Sequence, residues 1–405
     1  MNGQPSPLYT SLFSRGMFAV LVAQFLSALA DNALFIAAIA LLKTAEHGAV
    51  LVPWLQEAFV VAYILLAPFV GPFSDALPKG RVMLIANMMK LCGAGMMFAG
   101  LNPLAAYLLV GVGAAAYSPA KYGILTQFFG PEKLVKANGM LESSTIVAIL
   151  LGVIAGGWLA DRSLTLAFNM ILGLYVLAAL ANLLIPRLPP EHVPEKFNPL
   201  ALVRDFLAAL KAVWRDHDAR FSIIGTSVFW GTGSTLRLLL FAWVPVALSI
   251  TDNETPAMLM GTVSIGIVAG AGLASWLVNL EKVNRAVIGG LLLGPLVLAL
   301  ANVHDLYLAM ALLALIGVCG GFFAVPLNAL LQERGHHLVG AGHALAIQNL
   351  GENAAILLFI GGYMLAGKSS LSVPGTVSFF GSLVLGSLLL LAAGRAMRVY
   401  ARARK

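Results

Sequence analysis

Three charged residues lie inside apolar runs long enough to cross a bilayer: Asp31 in the first, Arg237 in the seventh and Glu352 in the eleventh. An ionised side chain in hydrocarbon costs about 3 kcal/mol even on lenient insertion scales, so such residues persist where they pair or face a polar cavity. Each has polar company at helical spacing. Gln24, Ser27, Asp31 and Phe35 share one face at i, i+3, i+7 and i+11; Thr226, Trp230, Gly233 and Arg237 share another; Gln348 or Asn349 clusters with Glu352 and Asn353 on a third. Three polar faces at similar depth predict one central cavity, with Asp31 and Arg237 as partners across it. A purely structural ion pair is the plainer alternative.

A second group recurs in the fourth and fifth runs. Lys121, within Tyr117-Ser118-Pro119-Ala120-Lys121-Tyr122-Gly123, is expected near Glu142, which lies one turn from Asn138. That contact serves equally as a substrate site or as a packing latch. Lys90 is expected to snorkel, Glu57 to sit near the outer interface and His343 near the inner surface. Between the second and third runs, Gly71-Pro72-Phe73-Ser74-Asp75 is followed by Lys79-Gly80-Arg81. This stretch resembles the loop motif of the major facilitator superfamily, with Ala76 where that motif has arginine and the glycine two residues late. The resemblance implies a glycine that admits a neighbouring helix and an acid that meets a helix N-terminus and basic side chains. A plain turn carrying topogenic charges is the other reading.

The elements that must position these groups follow from composition. The chain has 405 residues, 60% hydrophobic and 11% charged, with mean hydropathy +0.89, which is the signature of a polytopic membrane protein. Taking about 20 apolar residues per crossing, twelve helices are predicted near 16–43, 52–75, 82–101, 104–127, 138–160, 164–186, 221–249, 257–280, 286–303, 306–331, 339–366 and 374–394. The first run carries Asp31 and no small-residue cleavage site, so it is expected to remain as a helix. Most of the 41 glycines, as in Ala269–Ala274, suit close helix contacts in lipid.

Basic residues set the expected topology. Arg15, Lys79, Arg81, Lys133, Lys136, Lys282, Arg285 and Arg334 fall in alternate loops or the N-terminal flank, and Arg395, Arg398, Arg402, Arg404 and Lys405 follow the last span. The opposite loops hold Lys43, Arg162 and Lys368. Both termini are therefore expected to be cytoplasmic. The net charge of +7 reads as topology and attraction to anionic lipid, with no nucleic-acid partner.

Three segments are expected: an N-terminal six-helix half over 1–186, a cytoplasmic linker with an amphipathic helix over 187–220, and a C-terminal six-helix half with a basic tail over 221–405. In the linker, Leu200, Val203, Phe206, Leu207, Leu210, Val213 and Trp214 fall on one face, opposite Arg204, Asp205, Lys211 and Arg215, as in a helix on the inner leaflet. The halves echo each other: Leu134-Val135-Lys136-Ala137 with Leu338-Val339-Gly340-Ala341, and Ala148-Ile149-Leu150-Leu151 with Ala355-Ile356-Leu357-Leu358. Parallel six-helix halves around a midplane site are the plan of the major facilitator fold.

Ordinary enzyme chemistry has no support. There is no Walker loop, HExxH or nucleophile elbow, and Cys92 and Cys319 lie in spans as packing thiols without metal-ligand spacing. No cofactor or metal is expected, beyond a coupling Na+ or H+ in transport.

The blocks Val22–Phe35, Gly111–Leu125, Leu134–Gly152, Thr235–Leu248, Gly320–Gly335 and Gln348–Asn353 resemble the bacterial lysophospholipid transporters of the major facilitator superfamily, over nearly the whole chain. The resemblance implies flipping of lysophosphatidylethanolamine and lysophosphatidylglycerol from the outer to the inner leaflet of a bacterial inner membrane, followed by reacylation by a cytoplasmic-face acyltransferase. Arg237 and Lys121 then suit the phosphate, and Asp31, Glu142 and Glu352 an ammonium or a coupling cation. Two other readings remain open at this point: a cation-coupled exporter of amphipathic drugs, and a non-transporting membrane scaffold.

Overall fold

The computed structural model describes residues 9, 11–44, 52–191, 198–250, 254–368 and 371–403. Among them the chain forms α1 (Arg15–Thr44), α2 (Val52–Ala76), α3 (Lys79–Phe98), α4 (Pro103–Phe128), α5 (Pro131–Arg162), α6 (Leu164–Leu183), α7 (Pro199–Arg215), α8 (His217–Ala247), α9 (Glu254–Leu277), α10 (Ala286–Leu300), α11 (Leu306–Val339), α12 (Ala341–Lys368) and α13 (Val373–Ala403), and no strand. A 3-10 turn over Leu280–Arg285 precedes α10. All but α7 and α8 are long and apolar enough to cross a membrane. α8 is the twelfth long helix, with 31 residues; its hydroxyl side chains and Arg237 dilute its hydropathy. The side chains of Lys43, Glu57 and Lys368, and of the tail from Arg398 onward, lie outside the described residues.

The helices begin where short polar side chains take up orphan backbone N–H groups. Asn102 accepts from Leu104 and Ala105 at α4, Asp216 from Asp218 and Ala219 at α8, and Asp305 from Leu308 at α11. Proline at the first turn starts α4 and α5. These starts move several expected boundaries. α3 begins at Lys79 instead of residue 82, and α5 at Pro131 instead of 138, because a hydropathy run measures bilayer thickness whereas a cap or proline sets the helix end. α11 likewise runs on to Val339, where Gly340 at φ +84° breaks it from α12. The Leu338–Ala341 echo of Leu134–Ala137 therefore spans a break, while its counterpart lies inside α5.

The helices group into two compact units: Met1–Arg215 with Gln332–Leu350, and Asp216–Leu331 with Gly351–Lys405. In the first, α1 packs on α5 and α6, and α4 on α2 and α3. Its core joins Ala30, Leu34 and Ala37 to Tyr107, Phe168 and Tyr175. In the second, α10 and α8 pack on α13, around Leu239, Trp243, Val297, Phe323 and Phe380. α7 packs on α2, burying Phe206, Ala209 and Val213. Its apolar arc is thus shared, since Leu200, Leu207 and Trp214 on the adjoining edge stay exposed. Cys319 is buried and Cys92 exposed, both as free thiols.

Candidate functional site

The first unit is built around Asp31, where α1, α3, α4 and α6 meet, and glycines let neighbouring helices close up around it. A Cβ on Gly113 of α4 would stand 2.7 Å from the Ala86 carbonyl and 2.9 Å from Lys90 Cγ, so only glycine lets α3 approach this closely and hold Lys90 in place. Gly152 of α5 admits α1 in the same manner, with Asn32 Cβ 3.0 Å from where its own Cβ would be.

Both carboxylate oxygens of Asp31 are engaged. Lys90 Nζ of α3 lies 2.7 Å from Oδ2, and the Tyr175 hydroxyl of α6 donates to Oδ1 at 2.7 Å. Lys90 also donates to Ser27 Oγ at 3.0 Å, Ser27 donates to Asn87 Oδ1 at 2.7 Å, and the ammonium stands 4.8 Å from the centre of the Tyr117 ring. Gln24, one turn below Ser27, donates to Thr145 at 3.0 Å. The lysine side chain is 2% exposed and the aspartate 22%. The ammonium is therefore sealed behind the carboxylate, and the carboxylate keeps an open side.

This arrangement corrects one expectation. Lys90 does not snorkel; a buried ammonium with a carboxylate, a hydroxyl and an aromatic face around it is solvated by the protein. Asp31 is paired inside its own unit, with Lys90 and Tyr175.

A second polar group joins α4 and α5. Glu142 accepts the Tyr122 hydroxyl, and Lys121 Nζ lies 4.3 Å from the centre of the same ring. One tyrosine thus touches both charges, and both are buried. Ser118 of α4 and Asn349 of α12 exchange hydrogen bonds at 3.0 and 3.3 Å. Asn138 and Gln332 form a reciprocal pair at 2.8 and 2.7 Å, with both side chains buried.

The third group sits at the α2–α3 turn. Asp75 Oδ1 lies 2.5 Å from Lys79 Nζ and accepts the backbone N–H of Gly342 at 3.1 Å. It therefore caps the first turn of α12, where the helix dipole favours an anion. Lys79 also donates to the Ser74 carbonyl at 3.1 Å. Gly71 packs backbone to backbone, since a Cβ there would stand 2.9 Å from the Gly342 carbonyl group and the His343 nitrogen. Glu191 of the linker joins in: its N–H donates to the Asp75 carbonyl at 3.0 Å and its carboxylate lies 3.8 Å from Lys79. Arg81, expected in the same group, points outward and is exposed.

In the second unit, Arg237 is exposed on α8, while Trp230, Glu352 and Asn353 are half-buried. Trp230 stacks edge-on with Phe229 at 5.5 Å. Tyr175, Gln332 and Glu191 were not singled out by sequence reasoning. The only signals were a tyrosine hydroxyl in an α6 whose other polar side chains are Thr165, Asn169 and Asn182, a polar ending to the tenth run, and the acids Glu191 and Glu195 in a proline-rich linker.

Residues 20–360 match the model of the Major Facilitator Superfamily. The chain is 55% identical over 374 residues to "Lysophospholipid transporter LplT" of Enterobacter sp. (strain 638), covering 92% of this chain and 94% of that protein. The protein of the same name from Escherichia coli O6:K15:H31 (strain 536 / UPEC) is 54% identical with the same coverage. Among solved structures, the human organic anion transporter MFSD10 superposes with TM-score 0.76 at 18% identity, over 93% of this chain and 99% of that one. The E. coli fucose:proton symporter FucP gives 0.71 at 14%, over 94% and 98%. At such identities these two show the fold alone. Taken with the twelve long helices, the matches establish that this chain belongs to the Major Facilitator Superfamily, within the group of lysophospholipid transporters.

Proposed function

We propose that the chain flips lysophosphatidylethanolamine and lysophosphatidylglycerol from the outer to the inner leaflet of a bacterial inner membrane, where a cytoplasmic-face acyltransferase rebuilds the diacyl lipid. The observation that carries this reading is identity above half, over nearly the full length, to transporters named for lysophospholipids. Both termini, and with them the α2–α3 turn, lie on the cytoplasmic side, in keeping with the basic loops. The chain is a transporter and not an enzyme.

Lys121 and Arg237 hold the phosphate, for which a guanidinium or ammonium is the natural donor. Asp31, Glu142 and Glu352 supply the acidic side for an ammonium or a coupling cation. Gln24, Trp230, Asn349 and Asn353 line the substrate's path. Gly71, Asp75 and Lys79 form a latch on α12 at the cytoplasmic end, and Arg81 serves as a topogenic charge beside it.

Purified protein in liposomes, given a panel of lysolipids under set pH and sodium gradients, tests the reading. Inward movement of both lysolipids supports it. Movement of amphipathic drugs alone would replace it with an exporter, and no turnover of either would leave a scaffold. Removing Lys121 or Arg237 should slow both lipids together, because the phosphate is common to them.

A further inference from the structure

The pair formed by Asp31 and Lys90 has a consequence for substrate choice, and it rests on the lysolipid reading above. A carboxylate with an open side would, alone, attract an ethanolamine ammonium and repel the net negative charge of a glycerol head group. Here the charge is already answered. Lys90 Nζ sits 2.7 Å behind Oδ2, itself 2% exposed and held by Ser27 Oγ at 3.0 Å and the Tyr117 ring at 4.8 Å. Tyr175 takes the other oxygen at 2.7 Å. The cluster presents a carboxylate surface of zero net charge.

We propose that Lys90 is a specificity-determining residue: a tethered ammonium that neutralises Asp31 and so makes the site tolerant of zwitterionic and anionic lysolipids alike. Lys90 does not reach the substrate, because it is sealed behind the acid. It acts on substrate choice through Asp31. The two deletions of charge must then push selectivity in opposite directions, which a structural role for the pair does not predict.

The experiment measures initial flipping rates of lysophosphatidylethanolamine and lysophosphatidylglycerol in the same proteoliposomes for wild type, Lys90→Met, Asp31→Asn, the double variant and Lys90→Arg. Lys90→Met should shift the rate ratio toward the ethanolamine lipid by about tenfold, since an unanswered carboxylate facing an anion is strongly unfavourable. Asp31→Asn should shift it toward the glycerol lipid. The neutral double variant should return to the wild-type ratio, and Lys90→Arg should keep it. Equal loss of both lipids in the single variants would overturn the proposal and leave a packing pair. A double variant that still favours the glycerol lipid would also overturn it, because the ratio would then not depend on Lys90. Where Lys90→Met fails to insert, the Asp31→Asn and double variants carry the decision. A wild type that moves neither lipid refutes the transport reading instead.

Discussion

The two units share a fold plan but not a way of handling polar side chains. Among the described residues, the buried charges Asp75, Lys79, Lys90, Lys121 and Glu142 all belong to the first unit. There, polar side chains bond from one helix to another, as in Gln24 to Thr145, Ser27 to Asn87 and Asn138 to Gln332. In the second unit, the hydroxyls of Thr232, Ser264, Ser275, Ser382 and Ser387 turn back on a carbonyl four residues earlier in their own helix. Cross-helix charge contacts appear there at the helix ends, where Arg395 of α13 meets Asp218 and Asn284. Cross-helix bonds couple the helices that they join, so the first unit is braced from helix to helix through its buried polar side chains.

The sharpest way to break that contrast is to delete one charge from each unit. Asp31→Ala strands the Lys90 ammonium in the interior and should lower stability by about 3–5 kcal/mol, the usual cost of breaking a buried pair. Arg237→Ala removes an exposed charge and should stay within about 0.5 kcal/mol. Both should slow flipping, so thermal unfolding in detergent, run beside the transport assay, separates the two. Similar unfolding temperatures for both variants would dissolve the distinction.

A smaller effect is expected at the latch. Gly342→Ala places a methyl 2.6 Å from Asp75 Oδ1 and should cost about 1–3 kcal/mol as overpacking, with slowed transport. At Gly272 of α9 an added methyl would meet nothing within 4 Å, so Gly272→Ala should leave unfolding unchanged or raise it slightly. The reverse order of the two would reject the latch as a tight contact.

Smaller again is the cross-helix amide pair. A double-mutant cycle on Asn138→Leu and Gln332→Leu should give a coupling near 0.6 kcal/mol and no more than about 1.7, the span for such bonds between membrane helices. Thr232→Val, which removes a bond within one helix, should be nearly silent. The least effect is expected on α7. Trp214→Ala, at an exposed position, should alter stability by less than about 0.5 kcal/mol, while brominated anionic lipid should quench Trp214 fluorescence if that edge rests on the membrane.

The helices were legible because hydropathy runs report bilayer thickness, and the role of Asp75 at the α2–α3 turn was legible through the resemblance of Gly71–Arg81 to the superfamily's loop motif. Ranges failed at Lys79, Pro131 and Val339, where caps, a proline and the Gly340 break set the ends. The Asp31 centre was half legible. The acid and Ser27 stand out on one face of α1, but Lys90 is 59 positions away and Tyr175 is 144, and nothing local marks them as neighbours. Asn138 and Gln332, 194 positions apart, were invisible as a pair for the same reason. Depth in a membrane can be counted along a chain; azimuth around a helix bundle has to be seen.

Gly71 against Gly342 illustrates what a contact without side chains can do. Each main chain rests directly on the other, and a Cβ at Gly71 would already be too close to the Gly342 carbonyl group at 2.9 Å. A leucine can follow a retreating neighbour by changing rotamer; a peptide plane has no such reach. Opening a gap of about 0.5–1 Å forfeits a quarter to a half of each van der Waals contact, and the Asp75 bond to the Gly342 N–H lengthens with it. The junction therefore works like a mechanical detent and not like a spring: it is either seated or released, with little held in between.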